Sequence, residues 1–370
     1  MPSRDRFLLP LSYNTLVVES TTRCNARCGM CYQGAGPKGS DYLGDAALTV
    51  DEIKKVMRSA VTMPSVGRRF HMAGGESFIK MDESVEVFAT AAHLGFTDIS
   101  CTTNAYWAAD VFKAHRVAQR LRDAGVLRME ISWDWWHGPY ISPQAINNCL
   151  AACAANDIAA NLRVLTTRSH CTEDALAMLS PAALAKVAFV TSAPVYQVGR
   201  ALEIPDEEIF ASSEEATCHT TLNLTVNARG YVSPCCAGFD QTDHALFGNV
   251  RDLELAEIAE SINRSLLIRM VVFEGIASLR PILALLGEET KPRYTSICGM
   301  CFEIFSDKAK LAKLTRFFEE LESAALEDAF AETQLAPVGP IAPVAPRAAD
   351  MPAAGREAPL PEPMAQRAIP

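Results

Sequence analysis

Leu16-Val17-Val18-Glu19-Ser20 and then Cys24-Asn25-Ala26-Arg27-Cys28-Gly29-Met30-Cys31 decide the reading of this chain. The first run is apolar and β-branched around one acid, and it reads as a strand. The three cysteines follow it directly, in a CxxxCxxC spacing. Three thiolates within eight residues can wrap one corner of a compact inorganic cluster while leaving one metal position open. Small Ala26 and Gly29 let such a loop curl, and Gly34, Gly36 and Gly39 keep the next segment pliable. A structural zinc site with a fourth ligand elsewhere is the competing reading. Zinc motifs favour paired CxxC units, and this triplet is asymmetric.

Working outward, strand-like and helix-like runs alternate. Helical spacing covers 49–62, with Thr49 as N-cap before Glu52. Arg69 to Ala73 reads as a second strand, 82–94 as a helix, Asp98 to Thr102 as a third strand and 109–124 as a helix. Arg128 to Ser132 is a fourth strand before a helix at 143–155, and Leu162 to Thr166 a fifth before a helix near 173–186. A sixth strand lies within Val187 to Val198. Six βα units imply a parallel sheet with right-handed crossovers, curled into a partial (β/α)6 TIM-type barrel rather than a full eight-fold one. Chemistry then belongs at the C-terminal ends of the strands.

The rhythm changes after Arg200. The expected division is a barrel over 1–205, a small α+β cysteine-bearing domain over 206–305 and an amphipathic helix over 306–333. A Pro/Ala-rich disordered tail fills 334–370, where Pro337, Pro340, Pro343 and Pro346 keep the polyproline II period. In the second domain a hairpin runs from Leu222 to Val232, and helical segments lie near 252–270 and 276–286.

Composition sets limits. The chain has 370 residues, a formal net charge of −10 and mean hydropathy of +0.06. No apolar run approaches the ~18 residues of a membrane span. The acidic balance argues against nucleic acid, which needs clustered Lys and Arg. No secretory signal is visible at the N-terminus, so the expected location is the cytoplasm, and the twelve cysteines there suggest metal or redox use rather than disulfides.

The cysteine triplet at the end of a first strand resembles the radical S-adenosylmethionine (SAM) superfamily. The resemblance covers residues 14 to about 200. It implies that Cys24, Cys28 and Cys31 bind a [4Fe–4S] cluster and that SAM chelates the open iron. A 5′-deoxyadenosyl radical then takes a hydrogen atom from the substrate. Gly74-Gly75-Glu76 follows the second strand like the family's GGEP, with Ser77 in place of proline. Glu76 is then expected to pair with the SAM ammonium. Thr102-Thr103-Asn104 resembles a TTNG-type segment, which puts Asn104 near the cofactor. Ser132 and Asp134 resemble the SxD pattern, Arg163 is placed for the SAM carboxylate, and Gly199-Arg200-Ala201 resembles the GRA segment, where Gly199 would let backbone approach adenine. Trp133, Trp135, Trp136 and Tyr140 are expected to line the barrel mouth, with Asp134 or His137 as a catalytic acid or base.

A second cysteine set follows. Cys218, eleven residues, Gly230, four residues and Cys235 match the opening of the SPASM/Twitch extension of many radical SAM enzymes. Cys236 is the rival to Cys235, and Cys298-Gly299-Met300-Cys301 closes the region. The expected ligands of one auxiliary [4Fe–4S] cluster are Cys218, Cys235, Cys298 and Cys301, with zinc as the alternative metal. No cysteine follows Cys301, which points to the single-cluster Twitch form. Of the remaining thiols, Cys149 and Cys153 read as core, and Cys101 or Cys171 as possible hydrogen donors to a substrate radical.

Relatives with this extension mostly modify ribosomally made peptides. The first functional expectation is therefore peptide maturation by crosslink, epimerisation or oxidation, with a precursor peptide as substrate. The expected electron donor is of the flavodoxin or ferredoxin type. Only about 13 residues precede the first strand, so a separate protein, or the auxiliary domain itself, is expected to hold a leader peptide. Dehydrogenation of a small molecule such as an aminocyclitol is the alternative, and a non-catalytic metal-binding scaffold a third.

Overall fold

The computed structural model describes residues 9–210, 222–235, 247–294 and 296–335. The chain divides into a compact unit, Met1–Glu322, and a second, Ser323–Pro370. Of the second, only the end of one helix falls among the described residues, and the expected tail over 336–370 lies outside them.

Six βα repeats build the first unit. They run β1 (Tyr13–Glu19), α1 (Val50–Thr62), β2 (Val66–Ala73), α2 (Met81–His93), β3 (Asp98–Thr103), α3 (Val111–Asp123), β4 (Arg128–Ser132), α4 (Pro143–Ala155), β5 (Ala159–Thr166), the short helices α5 (Thr172–Ala177) and α6 (Pro181–Leu184), and β6 (Phe189–Pro194). All six strands are parallel and paired in chain order. The single helix expected near 173–186 is broken at Ser180-Pro181. Pro181 cannot donate a backbone hydrogen bond, so it opens a new helix instead, capped by Ser180. At α1 the sequence signal holds in full. Thr49 N and Oγ1 donate to Glu52 Oε2 at 2.7 and 2.9 Å, and Glu52 N donates back to Thr49 Oγ1.

The C-terminal region does more than follow the barrel. Its strand β7 (Asn223–Val226) pairs parallel with β1 and extends the same sheet, and β8 (Val232–Ser233) turns back on it. The expected hairpin is present, but as the edge of an eight-stranded sheet in the order β6-β5-β4-β3-β2-β1-β7-β8. Helices α7 (Leu255–Arg264), α8 (Leu266–Glu274), α9 (Leu279–Leu285), α10 (Ile297–Ser306) and α11 (Lys308–Leu335) follow among the described residues. Among the described residues no helix is long and apolar enough to cross a membrane.

The alternation of side chains along each strand separates two environments. Leu16, Val18, Phe70, Met72, Ile99, Cys101, Met129, Ile131, Leu162 and Val164 point one way and are buried in the main core. Phe70 meets Phe88 edge-on and Phe96 at a tilt, with ring centroids 6.3 and 5.7 Å apart. The alternate residues, among them His71, Ser100, Thr102, Glu130, Ser132 and Arg163, line a cavity of about 470 Å³. A sheet with one greasy and one polar face, coated by helices on the greasy side, is a partial barrel with a wet interior.

Candidate active site

The cysteine loop closes over one end of this cavity. Cys24, Cys28 and Cys31 all line it, and all three are free thiols. Among the described residues no three Cys, His, Asp or Glu side chains converge as ligands of a single metal ion. A four-iron cube makes a different demand, since each thiolate binds a different iron.

Two clamps from later in the chain shape the loop. The first is the turn after β2. Gly75 N donates to Thr21 O at 2.6 Å and Glu76 N to Arg23 O at 2.8 Å. A Cβ on Gly75 would collide with the carbonyl oxygen of Arg23, so only glycine permits this approach. The second clamp follows β6. The guanidinium of Arg200, buried at 3% exposure, donates to Cys28 O at 3.0 Å, Gly34 O at 2.9 Å, Ala35 O at 2.6 Å and Asp41 Oδ2 at 2.8 Å. Arg200 N also donates to Cys31 O. Gly199 sits at φ +62°, and a Cβ there would collide with Tyr32 O. The space over Gly199 is thus filled by the cysteine loop. Its neighbours Tyr196 and Val198 line the cavity, and Gly199 does not.

The sulfur of Cys24 accepts from Ala26 N at 3.4 Å and from Asn104 Nδ2 at 3.6 Å. Donors aimed at a sulfur suit a thiolate ligand, and with the glycine cradle beneath the loop they fit the cluster that the motif implies. Asn104 also donates to Asn25 Oδ1 at 2.9 Å, so it braces the loop from β3.

Glu76 lines the cavity at 1% exposure, and its oxygens are engaged. Oε1 accepts from Thr103 Oγ1 at 2.7 Å and Phe78 N at 3.1 Å, and Oε2 from Asn104 N at 2.8 Å. Burial pushes its pKa up to about 7 against these donors. Ser132 and Arg163 line the same wall, side by side in the β4–β5 register. Six of the seven residues expected at SAM therefore surround one cavity with the cysteines, and Gly199 stands behind the loop.

The tryptophan segment divides. Trp133 is fully buried in the core, where its indole N–H donates to Ala175 O at 2.8 Å, so it does not line the mouth as expected. The strand alternation that turns Ser132 and Asp134 inward turns Trp133 outward. Trp135, at 54% exposure, stacks on His170 with centroids 4.1 Å apart, and Trp136 meets the same ring edge-on. Tyr140 donates to Arg27 O at 2.8 Å. These rings flank the cysteine loop.

Asp134 and His137 both line the cavity and are joined, Nδ1 to Oδ1, at 2.8 Å. Asp134 Oδ1 also accepts from Trp136 N and His137 N, and Oδ2 from Leu165 N. Its lone pairs are largely spent on the protein. Burial opposes charge on His137, but Asp134 and the adjacent Cys28 hold its pKa well above that of an ordinary imidazole. Together they form a bracket beside Cys28.

Cys101 is buried on the core face of β3, away from the cavity, and Cys171 is exposed at the start of α5, bonded to Asp174. Neither is placed to reach a radical in the barrel. Cys149 and Cys153 lie in the core against Met129, as expected.

Of the second cysteine set, Cys218 and Cys236 lie outside the described residues. Cys235 follows β8 and is near enough to Glu19, at the end of β1, to help raise its carboxyl. Burial is the larger cause, opposed by hydrogen bonds from Tyr32 and Gln33, and the result is a pKa of about 7. Cys298 and Cys301 stand three residues apart at the start of α10, whose N-cap Ser296 accepts from Gly299 N.

Sequence reasoning missed three features. Arg200 was visible only as part of a motif whose glycine drew attention. Glu130 and His71 were visible as polar residues at alternate positions of buried strands, a pattern that marks a wet interior face.

The chain matches two families. The Radical SAM superfamily matches residues 18–136, and the SPASM iron-sulfur cluster-binding domain matches residues 218–302. YydG of Bacillus subtilis (strain 168), whose name assigns it to peptide biosynthesis, is 22% identical over 328 residues, 83% of this chain and 97% of that protein. The GTP 3′,8-cyclase of Trichormus variabilis (strain ATCC 29413 / PCC 7937) is 35% identical over 129 residues, 34% of this chain and 36% of its own length. The chain thus spans nearly all of the first relative and about a third of the second. Among solved structures, native anSMEcpe with bound AdoMet aligns at a TM-score of 0.49 and 14% identity, over 82% of this chain and 98% of its own.

Proposed function

We propose that this chain, a radical SAM enzyme with a C-terminal SPASM domain, modifies a ribosomally made peptide. Its cofactors are a [4Fe–4S] cluster with SAM in the first domain and further iron–sulfur ligation in the second. When bound, the first cluster and SAM supply a 5′-deoxyadenosyl radical that takes a hydrogen atom from the substrate.

The observation that carries the peptide reading is the similarity to YydG along nearly its whole length. We divide the work as barrel over 1–205 and auxiliary domain over 206–305, with the helix and tail behind them. Cys24, Cys28 and Cys31 hold the first cluster, and Cys218, Cys235, Cys298 and Cys301 the auxiliary one. Gly74, Gly75, Glu76, Asn104, Ser132 and Arg163 surround SAM. Arg200, Asn104 and the Asp134–His137 bracket fix the loop. The partners are a precursor peptide, a separate leader-binding protein and a flavodoxin- or ferredoxin-type donor, working in the cytoplasm.

The test is mass spectrometry of the short peptide encoded beside the gene, after anaerobic incubation with enzyme, SAM and reductant in deuterated water. A crosslink or oxidation appears as the loss of two hydrogens, and an epimerisation as one solvent deuterium gained. An unchanged peptide, with 5′-deoxyadenosine released on addition of an aminocyclitol, returns the chain to small-molecule dehydrogenation.

A further inference from the structure

The barrel cavity is lined by side chains that mostly answer one another. Arg69 and Arg128 share Asp98, each at 2.8 Å. Asp134 and Glu76 accept from the protein, and the two nitrogens of His71 are taken by Ser100 Oγ at 2.8 Å and Thr102 Oγ1 at 2.9 Å. Two charged side chains of the lining, Arg163 and Glu130, have no hydrogen-bond or ion-pair partner among the described residues. Arg163 is answered by the SAM carboxylate in the assignment above. Glu130 is left over.

Its surroundings sharpen the mismatch. Thr102 is its neighbour on β3, but that hydroxyl is already committed to His71. Asn161 is its neighbour on β5, but it is not among the residues that line the cavity. The side-chain oxygen of Asn161 is buried with no donor. Glu130 thus faces the cavity as a carboxylate that no donor of the described residues answers. In this wet cavity water can answer the carboxylate, and a cationic N–H group that takes the water's place gains a charge-assisted hydrogen bond.

We infer that Glu130 selects the substrate by accepting from a cationic N–H group, an ammonium or guanidinium, that enters the barrel. The inference rests on the peptide reading for the source of that group, a Lys or Arg side chain. Glu130 sits two residues before Ser132 on the same face, so the group it holds lies deeper in the barrel than the SAM site. A long basic side chain threaded past the cofactor carries its own carbon–hydrogen bonds through that site.

The test has two arms. In the first, the SAM-loaded holoenzyme is titrated with n-butylammonium, n-butylguanidinium and neutral n-pentanamide, with binding read by saturation-transfer NMR. Wild type should favour the cations by about tenfold, and Glu130→Gln should lose that preference, as expected for one charge-assisted hydrogen bond. Glu130→Asp, which keeps the charge on a shorter stem, should retain part of it. In the second arm, with a processed peptide, Glu130→Gln should raise KM about 10- to 100-fold and lower kcat by less. Replacing the peptide's Lys by norleucine or Arg by citrulline should raise KM for wild type but not for the variant. A cation preference that survives in Glu130→Gln, or a wild-type preference for the amide, overturns the inference. If no peptide is turned over, the peptide reading fails, and the fragment arm alone decides the role of Glu130.

Discussion

The two cysteine sets are held by different means. Cys24, Cys28 and Cys31 lie in a loop that makes almost no regular structure of its own. Its shape is imposed from far along the chain, by Gly75 after β2, Asn104 after β3, His137 after β4 and Arg200 after β6. Cys298 and Cys301 instead share one turn of α10, three residues apart, so the helix itself presents them on one face. A loop held by long-range clamps is vulnerable to distant substitutions, whereas the helical pair of the second set is presented by its own turn and fails mainly when its own residues change.

The largest effect expected on the first side of that contrast comes from its ligands. Replacing Cys24, Cys28 and Cys31 by Ala should abolish 5′-deoxyadenosine formation, read by chromatography after anaerobic reconstitution. Iron should fall from about eight per chain, the content of two [4Fe–4S] clusters, to half. A triple variant that still cleaves SAM would break the ligand assignment.

Arg200 tests the clamp directly. Arg200→Gln keeps much of the side-chain length but cannot supply four directed bonds or the charge that faces Asp41. Asp41 is 35% exposed and keeps Arg27, so the cost falls mainly on the carbonyls of Cys28, Gly34 and Ala35 left short of a donor, about 1–3 kcal/mol. Iron should be lost from the first cluster while the auxiliary signal persists in EPR. Equal loss from both clusters would show that Arg200 supports the fold at large rather than the loop.

The reciprocal substitution is gentler on radical generation. Cys298→Ala with Cys301→Ala should halve the iron and stop product formation while leaving reduced but measurable SAM cleavage. If SAM cleavage vanishes as completely as in the triple variant, the two sites are not separable in the way their construction implies.

Most of the fold was legible because its signals are local. The alternation of strand and helix, the Thr49–Glu52 capping box and the CxxxCxxC loop each lie within one short window. Helix boundaries after β5 slipped, because a proline at the start of a helix and a proline that breaks one look alike until Ser180 is seen as a cap. What could not be read were the contacts between windows. Nothing local in Asn223–Val226 says that it will pair with β1, and nothing in Trp133-Asp134-Trp135 says which ring faces the core. Arg200 lies 172 residues from the Cys28 carbonyl that it holds. Such partners are set by tertiary geometry, to which a hydropathy period is blind.

The smallest effect expected lies where the barrel meets the C-terminal region. Glu52 caps α1 through Thr49, and its Oε1 accepts from Arg251 Nε at 2.6 Å. Arg251 also donates to Arg229 O and Ala47 O. Glu52 is therefore at once a local helix cap and a long-range tie, and it can be asked which role is the larger. The Arg251 hydrogen bond, supported by those of Thr49 and opposed by burial, lowers the Glu52 carboxyl from its ordinary 4.5 to about 2. A carboxyl whose folded pKa is depressed adds stability above its unfolded pKa and loses it as pH falls toward the folded one. The side chains of Arg251 and Glu52 are 43% and 27% exposed, so solvent screens the pair. Glu52→Gln should then cost only about 1 kcal/mol at pH 7, the usual worth of a cap. Thermal melts should show the gap between wild type and Glu52→Gln closing as pH drops from 4.5 toward 2. Arg251→Gln should reproduce most of that gap if the tie dominates, and little of it if the cap does. A gap that widens on acidification would contradict both.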